Sequence, residues 1–178
     1  NGGHHPSKPD NTVEIPDEDA LGLNTDDHFA YIIGYPDGTV QPNGQITRAE
    51  ATTIFFRLLT EESRSANLTK TNGYTDVASD AWYNTAVSTM TKAGIVDGYP
   101  DGTFRPEAPI TRQEMATMLY RFWKLQGGKY APKADVLANY QDRGEVADWA
   151  LEAMSWTVQS GIIVGTSSTM LSPASGAT

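Results

Sequence analysis

A mainly all-α fold built of repeated helix-loop-helix units is what these 178 residues predict, on three observations. Ile46-Thr47-Arg48-Ala49-Glu50 returns 64 positions later as Ile110-Thr111-Arg112-Gln113-Glu114, each time ahead of an apolar run. Gly34-Tyr35-Pro36-Asp37-Gly38-Thr39 returns at the same interval as Gly98-Tyr99-Pro100-Asp101-Gly102-Thr103. A third, degraded copy starts at Gly165, passes Pro173 and reaches Thr178, 67 residues after Thr111. Self-similarity at this period marks a repeat architecture, here two and a fraction units of a threefold pattern.

In chain order, residues 1–27 come first, with seven acids against Lys8, and the Pro, Asp, Asn and Gly content of a solvated linker. Residues 28–64 form a first unit without the usual first helix, since Asp27-His28-Phe29-Ala30-Tyr31 stands where the others carry a Trp. Its second helix presents Ala51, Ile54, Phe55, Leu58 and Leu59 on one face. In the second unit, 73–126, the residues Trp82, Tyr83, Ala86, Val87, Met90 and Ala93 predict an amphipathic helix after Asp80, stopped by Gly94. Met115, Met118, Leu119, Phe122 and Trp123 predict a helix after Thr111. The third unit, 138–178, repeats the first of these faces with Trp149, Ala153, Met154 and Val158 and stops at Gly161, short of a second helix. Ile32-Ile33 and Ile95-Val96 read as short strand-like leads into Gly-Tyr-Pro-Asp-Gly turns, where Pro presets φ and Gly accepts positive φ.

Thr-x-x-Glu before an apolar run is a capping box, with Thr47 and Glu50, and again Thr111 and Glu114, satisfying orphan amides reciprocally. That leaves Arg48 and Arg112 at the first helical position, where the helix dipole disfavours a cation by ~0.3–1 kcal/mol. Free amides and a guanidinium at one helix start would hold a carboxylate or phosphate. The alternative is an ion pair with an acid such as Asp76 or Asp142. The aromatic residues Tyr74, Trp82, Tyr140 and Trp149 are open to two roles, platforms for sugar rings or core, and helical spacing favours core for Trp82 and Trp149.

Other chemistries find little support. No cysteine is present, which removes disulfides, thiolate metal sites and cysteine nucleophiles. The net charge of −9 argues against nucleic acid. No apolar run is long enough to insert in a membrane, and residues 1–10 lack signal-peptide character, so if the protein is exported its signal lies outside this chain. Asp97-x-Tyr99-x-Asp101-Gly102 lacks the acid at position twelve that a calcium loop needs, so no metal and no cofactor is expected. His4, His5 and His28 are the only histidines, and Glu61-Glu62 reads as a solvated face at a helix end, so no enzyme is expected.

The run Tyr74-Thr75-Asp76-Val77 with Trp82, then Gly94 to Pro106, then Ile110 to Glu114, resembles the S-layer homology domain. The resemblance covers about 150 of the 178 residues, nearly complete at 73–125 and eroded at 138–178. It implies three tandem repeats in a pseudo-threefold helical spindle with grooves between neighbours. It implies extracellular, noncovalent anchoring to a secondary cell-wall polysaccharide of bacteria through a pyruvylated sugar. It places ligand-binding roles on Arg48 and Arg112; Asp76, Asp142, Trp82, Trp149 and Gly98 are the further ligand-binding candidates. The third loop, Gly165 to Met170, lacks the Pro-Asp-Gly turn and the third arginine falls after Thr178, so at most two competent grooves are expected. The competing reading is a structural module of a surface layer, its arginines paired with sister subunits. A passenger domain outside this chain fits either.

Overall fold

A computed structural model describes residues 44–132 and 135–178. The acidic stretch 1–27, the loop Gly34–Thr39, Ile32-Ile33 and all three histidines lie outside the described residues. Within them the protein is mainly helical: α1 (Arg48–Leu58), α2 (Glu61–Asn67), α3 (Asn84–Lys92), α4 (Arg112–Leu125) and α5 (Leu151–Gln159), with short 3-10 turns at Arg143–Glu145 and Asp148–Ala150. No helix among them is long and apolar enough to cross a membrane.

Local chemistry accounts for the ends of these helices. Both capping boxes are formed: the Glu50 amide donates to Thr47 Oγ1 and the Thr47 amide to Glu50 Oε2, and the same exchange links Thr111 and Glu114. Helix α3 ends in a Schellman motif at Gly94, whose φ of 72° suits a residue without Cβ. There Ile95 N–H donates to Met90 O and Gly94 N–H to Thr91 O; at Gly161 the same pair of bonds runs from Ile162 to Thr157 and from Gly161 to Val158.

These bonds correct the strand-like reading. Ile95 and Val96 both give their amides to Met90 O, closing a helix instead of pairing with a strand. Among the described residues only isolated bridges occur, Thr47 with Pro109, Thr111 with Gly176, and Ser167 with Met170. Two further corrections concern helix limits. Helix α3 starts at Asn84, so Trp82 and Tyr83 precede it, because the buried Asn84 amide group donates to Lys70 O and Ser79 O and anchors the start there. Glu61 and Glu62 begin a helix instead of ending one: Thr60 caps Ser63 N–H, and the two acids complement the positive end of α2.

Helix α4 divides the core. Its Met118 and Phe122 pack with Phe55, Val87, Met90 and Phe104 in one cluster. Its Ala116 and Tyr120 pack with Met154, Trp156 and Leu171 in another. One helix thus buries opposite faces against α1/α3 and α5, and the Trp123–Trp156 stack at 4.9 Å between ring centroids extends the second contact.

A triangle of backbone bonds ties the ITR segments together. Ile110 N–H donates to Ile46 O (2.9 Å), Ala177 N–H to Ile110 O (2.8 Å) and Ile46 N–H to Ala177 O (3.2 Å). The three residues occupy the same place in their units, each preceding a threonine. Each unit therefore satisfies polar backbone of the next, which a buried junction requires.

Candidate functional site

The helix starts place the two arginines, and their amides are already taken. Arg48 N–H donates to Ala108 O and Ala49 N–H to Pro106 O, both in the second unit; Arg112 N–H donates to Ser175 O and Gln113 N–H to Pro173 O, both in the third. The next two amides of each helix go to its own threonine, from Glu50 and Ala51 to Thr47 and from Glu114 and Met115 to Thr111. The anion site made of free first-turn amides is therefore not present: the following unit supplies carbonyls where a ligand was expected.

The guanidinium groups follow the same rule. Arg48 is buried; its Nε donates to Phe104 O (2.8 Å), Nη2 to Asp97 O (2.9 Å) and Nη1 to Glu114 Oε1 (2.9 Å). Its Cζ lies 4.6 Å from the Phe104 ring centroid and 4.9 Å from that of Tyr99. Arg112 copies two of these bonds, from Nε to Leu171 O (2.9 Å) and from Nη2 to Val164 O (2.5 Å), and makes no ion pair among the described residues. A cation at a helix start is thus tolerated because its charge is aimed at the neighbouring unit's carbonyls. Of the two readings open for the arginines, Arg48 takes the ion pair, but its partner is Glu114 and neither Asp76 nor Asp142.

Glu114 is the most constrained group here. Its Oε2 accepts the Thr111 amide and hydroxyl, while Oε1 accepts Arg48 and the Tyr99 hydroxyl at 2.5 Å. Burial works to raise its carboxyl, but the Tyr99 hydroxyl, the Thr111 amide and Arg48 outweigh it and hold it below the usual range. Burial and the bond to Glu114 push the Tyr99 phenol up.

Asp76 and Asp142 serve the loops. Asp76 accepts Phe104 N–H and Arg105 N–H, both at 2.7 Å; Asp142 accepts Leu171 N–H (2.8 Å) and Ser172 N–H (2.7 Å). Arg105 and Ser172 have φ of 58° and 52°, which costs a non-glycine residue about 1–2 kcal/mol. Two consecutive amides turned onto one carboxylate offset that strain in both units. Asp97, considered above for calcium, instead gives its carboxylate to Arg121 and its carbonyl to Arg48.

A groove opens beside the Arg48–Glu114 pair. Its cavity, about 310 Å3, gathers Arg48 from the first unit, Gly98, Tyr99 and Arg121 from the second and Trp149 from the third. A second cavity, about 490 Å3, continues along α4 past Arg121 and Trp149 to Lys124 and Glu152. Trp149 is 56% exposed and Trp82 63%, so the core role that helical spacing favoured is overturned for both. Each precedes its helix proper, and only Trp149 lines these cavities; Trp82 packs edge-on against Tyr83. Arg112, Asp76 and Asp142 line neither cavity. Sequence reasoning overlooked Tyr99 and Arg121, and the second duty of Glu114. Glu114, Thr117, Arg121 and Lys124 lie three or four apart on α4, a polar stripe that could have been found.

Gly98 sits at the wall because nothing larger fits. A Cβ there would lie 2.3 Å from Tyr74 Cε1 and 2.6 Å from Thr103 O, and Gly165 meets Tyr140 and two loop carbonyls in the same way. Gly98→Ala is expected to cost about 1–3 kcal/mol in urea unfolding, as overpacking does. Gly73→Ala, at an exposed site with open space around it, should stay within about 0.5 kcal/mol of the parent.

The model of the S-layer homology domain matches residues 30–52, 73–116 and 139–178, more than half of the chain in three segments. The chain belongs to the S-layer homology family. Its relatives include a "Cellulosome-anchoring protein" of Acetivibrio thermocellus, 35% identical over 90% of this chain and 35% of that protein. The "Surface-layer 125 kDa protein" of Lysinibacillus sphaericus is 32% identical over 75% of this chain and 10% of its own length. An "Amylopullulanase" of Thermoanaerobacterium thermosulfurigenes is 31% identical over 82% and 8%. The S-layer homology chain thus spans 35% or less of each of these relatives, which include an enzyme by name.

Proposed function

We propose that this chain is a non-catalytic anchoring module of the bacterial cell surface that binds an anionic, pyruvylated wall polysaccharide in the groove between its repeats. The carrying observation is the cavity where side chains of three units converge: Trp149 offers an exposed aromatic face, Gly98 a backbone edge and Arg121 a cation. Membership of the S-layer homology family and relatives named for surface layers and for anchoring support an extracellular, wall-associated role. The closed triangle of Ile46, Ile110 and Ala177 supports a pseudo-threefold arrangement of units 28–64, 73–126 and 138–178, with grooves between neighbours. Self-assembly through arginines paired between subunits has less support, because Glu114 of the same chain already holds Arg48.

Co-sedimentation tests this reading. The protein should pellet with purified pyruvylated wall polymer and remain in the supernatant once the ketal has been removed by mild acid. Equal partition with both polymers, or none with either, would refute it.

A further inference from the structure

Residues 69–74, between α2 and α3, lie along α3 as a strap fastened by polar side chains. Thr69 N–H donates to Thr89 Oγ1 and Thr89 Oγ1 to Thr69 O, both at 3.2 Å. Asn72 Nδ2 donates to Asn84 Oδ1 and to Ser88 Oγ, both at 2.9 Å, and the Tyr74 hydroxyl meets Thr91 Oγ1 at 3.0 Å. Asn84, Ser88 and Thr89 are all buried, so the polar groups of α3 depend on the strap for their partners.

The amide orientations form a chain of requirements. Asn84 Nδ2 is held by Lys70 O (2.9 Å) and Ser79 O (3.2 Å), so Oδ1 must face Asn72. Asn72 must then present Nδ2, while its own Oδ1 accepts the Tyr74 amide (3.0 Å). An oxygen in place of Asn72 Nδ2 would stand 2.9 Å from Asn84 Oδ1, acceptor against acceptor, with only the Ser88 hydroxyl proton to share between them. The third unit has Ala138 and Leu151 at the corresponding places, so this fastening is not part of the shared repeat scaffold.

Gly73 follows Asn72. It is exposed, its amide donates no hydrogen bond among the described residues, and open space surrounds the place a Cβ would take. Asparagine is thermolabile, and a following glycine leaves the main-chain nitrogen least hindered in reaching the side-chain carbonyl. We propose that Asn72 is a self-modifying site, at which loss of the side-chain amide unfastens the strap from α3. The Gly73 nitrogen bonds to Asn72 Cγ, the Cγ–Nδ2 bond breaks, and Nδ2 leaves as ammonia with the proton from Gly73. Water then opens the succinimide at either carbonyl, yielding aspartate or isoaspartate. Neither product offers a donor to Asn84 Oδ1, and isoaspartate also lengthens the main chain by a carbon. While Nδ2 donates to Asn84 and Ser88 the leaving group is held, so the reaction proceeds when the strap opens and its product keeps the strap open.

The test incubates the full folded chain at mildly alkaline pH beside Gly73→Ala, following residue 72 by peptide mass spectrometry and ammonia release. The parent should accumulate aspartate and isoaspartate at 72, and Gly73→Ala should do so about tenfold or more slowly because its Cβ hinders the attack. Hydrogen exchange reads the consequence: in the converted parent, and in Asn72→Asp, the Thr69 amide should exchange about tenfold or more faster, with Ile95 at the far end of α3 unchanged. Conversion of the parent no faster than that of Gly73→Ala overturns the site. Parent-like protection of Thr69 after conversion overturns the release, and so does loss of protection at Ile95 as well, which would mean unfolding of the whole unit.

Discussion

Arg48→Ala will lower stability by about 3–5 kcal/mol, the range for stripping one partner from a buried ion pair. The substitution removes the donor to Phe104 O and Asp97 O and strands Glu114, whose side chain is only 13% exposed. It also unclasps the first unit from the second, since the three acceptors lie 49 to 66 residues away in sequence. The sign of the pH dependence follows from Glu114, whose carboxyl is depressed in the folded protein. Its stabilisation is complete above the unfolded carboxylate value of about 4.3 and is lost as pH falls through the lower folded value. The gap between parent and variant should therefore be full at pH 7 and shrink below about pH 4. Urea titrations at both pH values measure it, and midpoints that coincide at pH 7 would reject the clasp. Arg112→Ala, with carbonyl partners and no carboxylate, should cost less, about 1–2 kcal/mol.

A loss of about 2–4 kcal/mol is expected for Asp142→Ala, because two buried or half-buried amides lose their acceptor together. The left-handed conformation of Ser172 then has no carboxylate to hold it. Asp142 is buried, which on its own would raise its carboxyl; the Leu171 and Ser172 amides prevail and hold it below the usual range. Its contribution is present above the unfolded value of about 3.9 and disappears as pH falls through the folded one, so parent and variant should converge in acid. Asp142→Asn keeps one acceptor oxygen and should recover part of the loss. Hydrogen exchange at Leu171 provides a local readout: unchanged protection in the alanine variant would reject the proposed clamp. Asp101 makes a useful contrast. Its carboxyl is held at about 2 by the Thr103 hydroxyl and amide and by Arg105, yet it is exposed, and its loss buries no orphan group.

How far the sequence could be read depends on the reach of each interaction. The capping boxes at Thr47 and Thr111, the glycine stops at Gly94 and Gly161 and the apolar faces of α1 and α4 each involve residues within about five positions, so their pattern was visible. The start of α3 was misplaced because Asn84 reaches back to Lys70. Trp82 and Trp149 followed a helical period without being in the helices, so the period overstated their burial.

Local chemistry, then, was written plainly in the chain: mostly helices, repeated with the same caps and loops, joined by an arginine that local rules could not explain. Which acid that arginine meets, which tryptophan faces the groove and how Ile46 finds Ala177 depend on how the chain path brings remote segments together. The physical reason is that a buried charge or amide takes whichever partner the packed units deliver to it. Arg48 and Glu114, 66 residues apart, are neighbours only after the second unit has docked on the first.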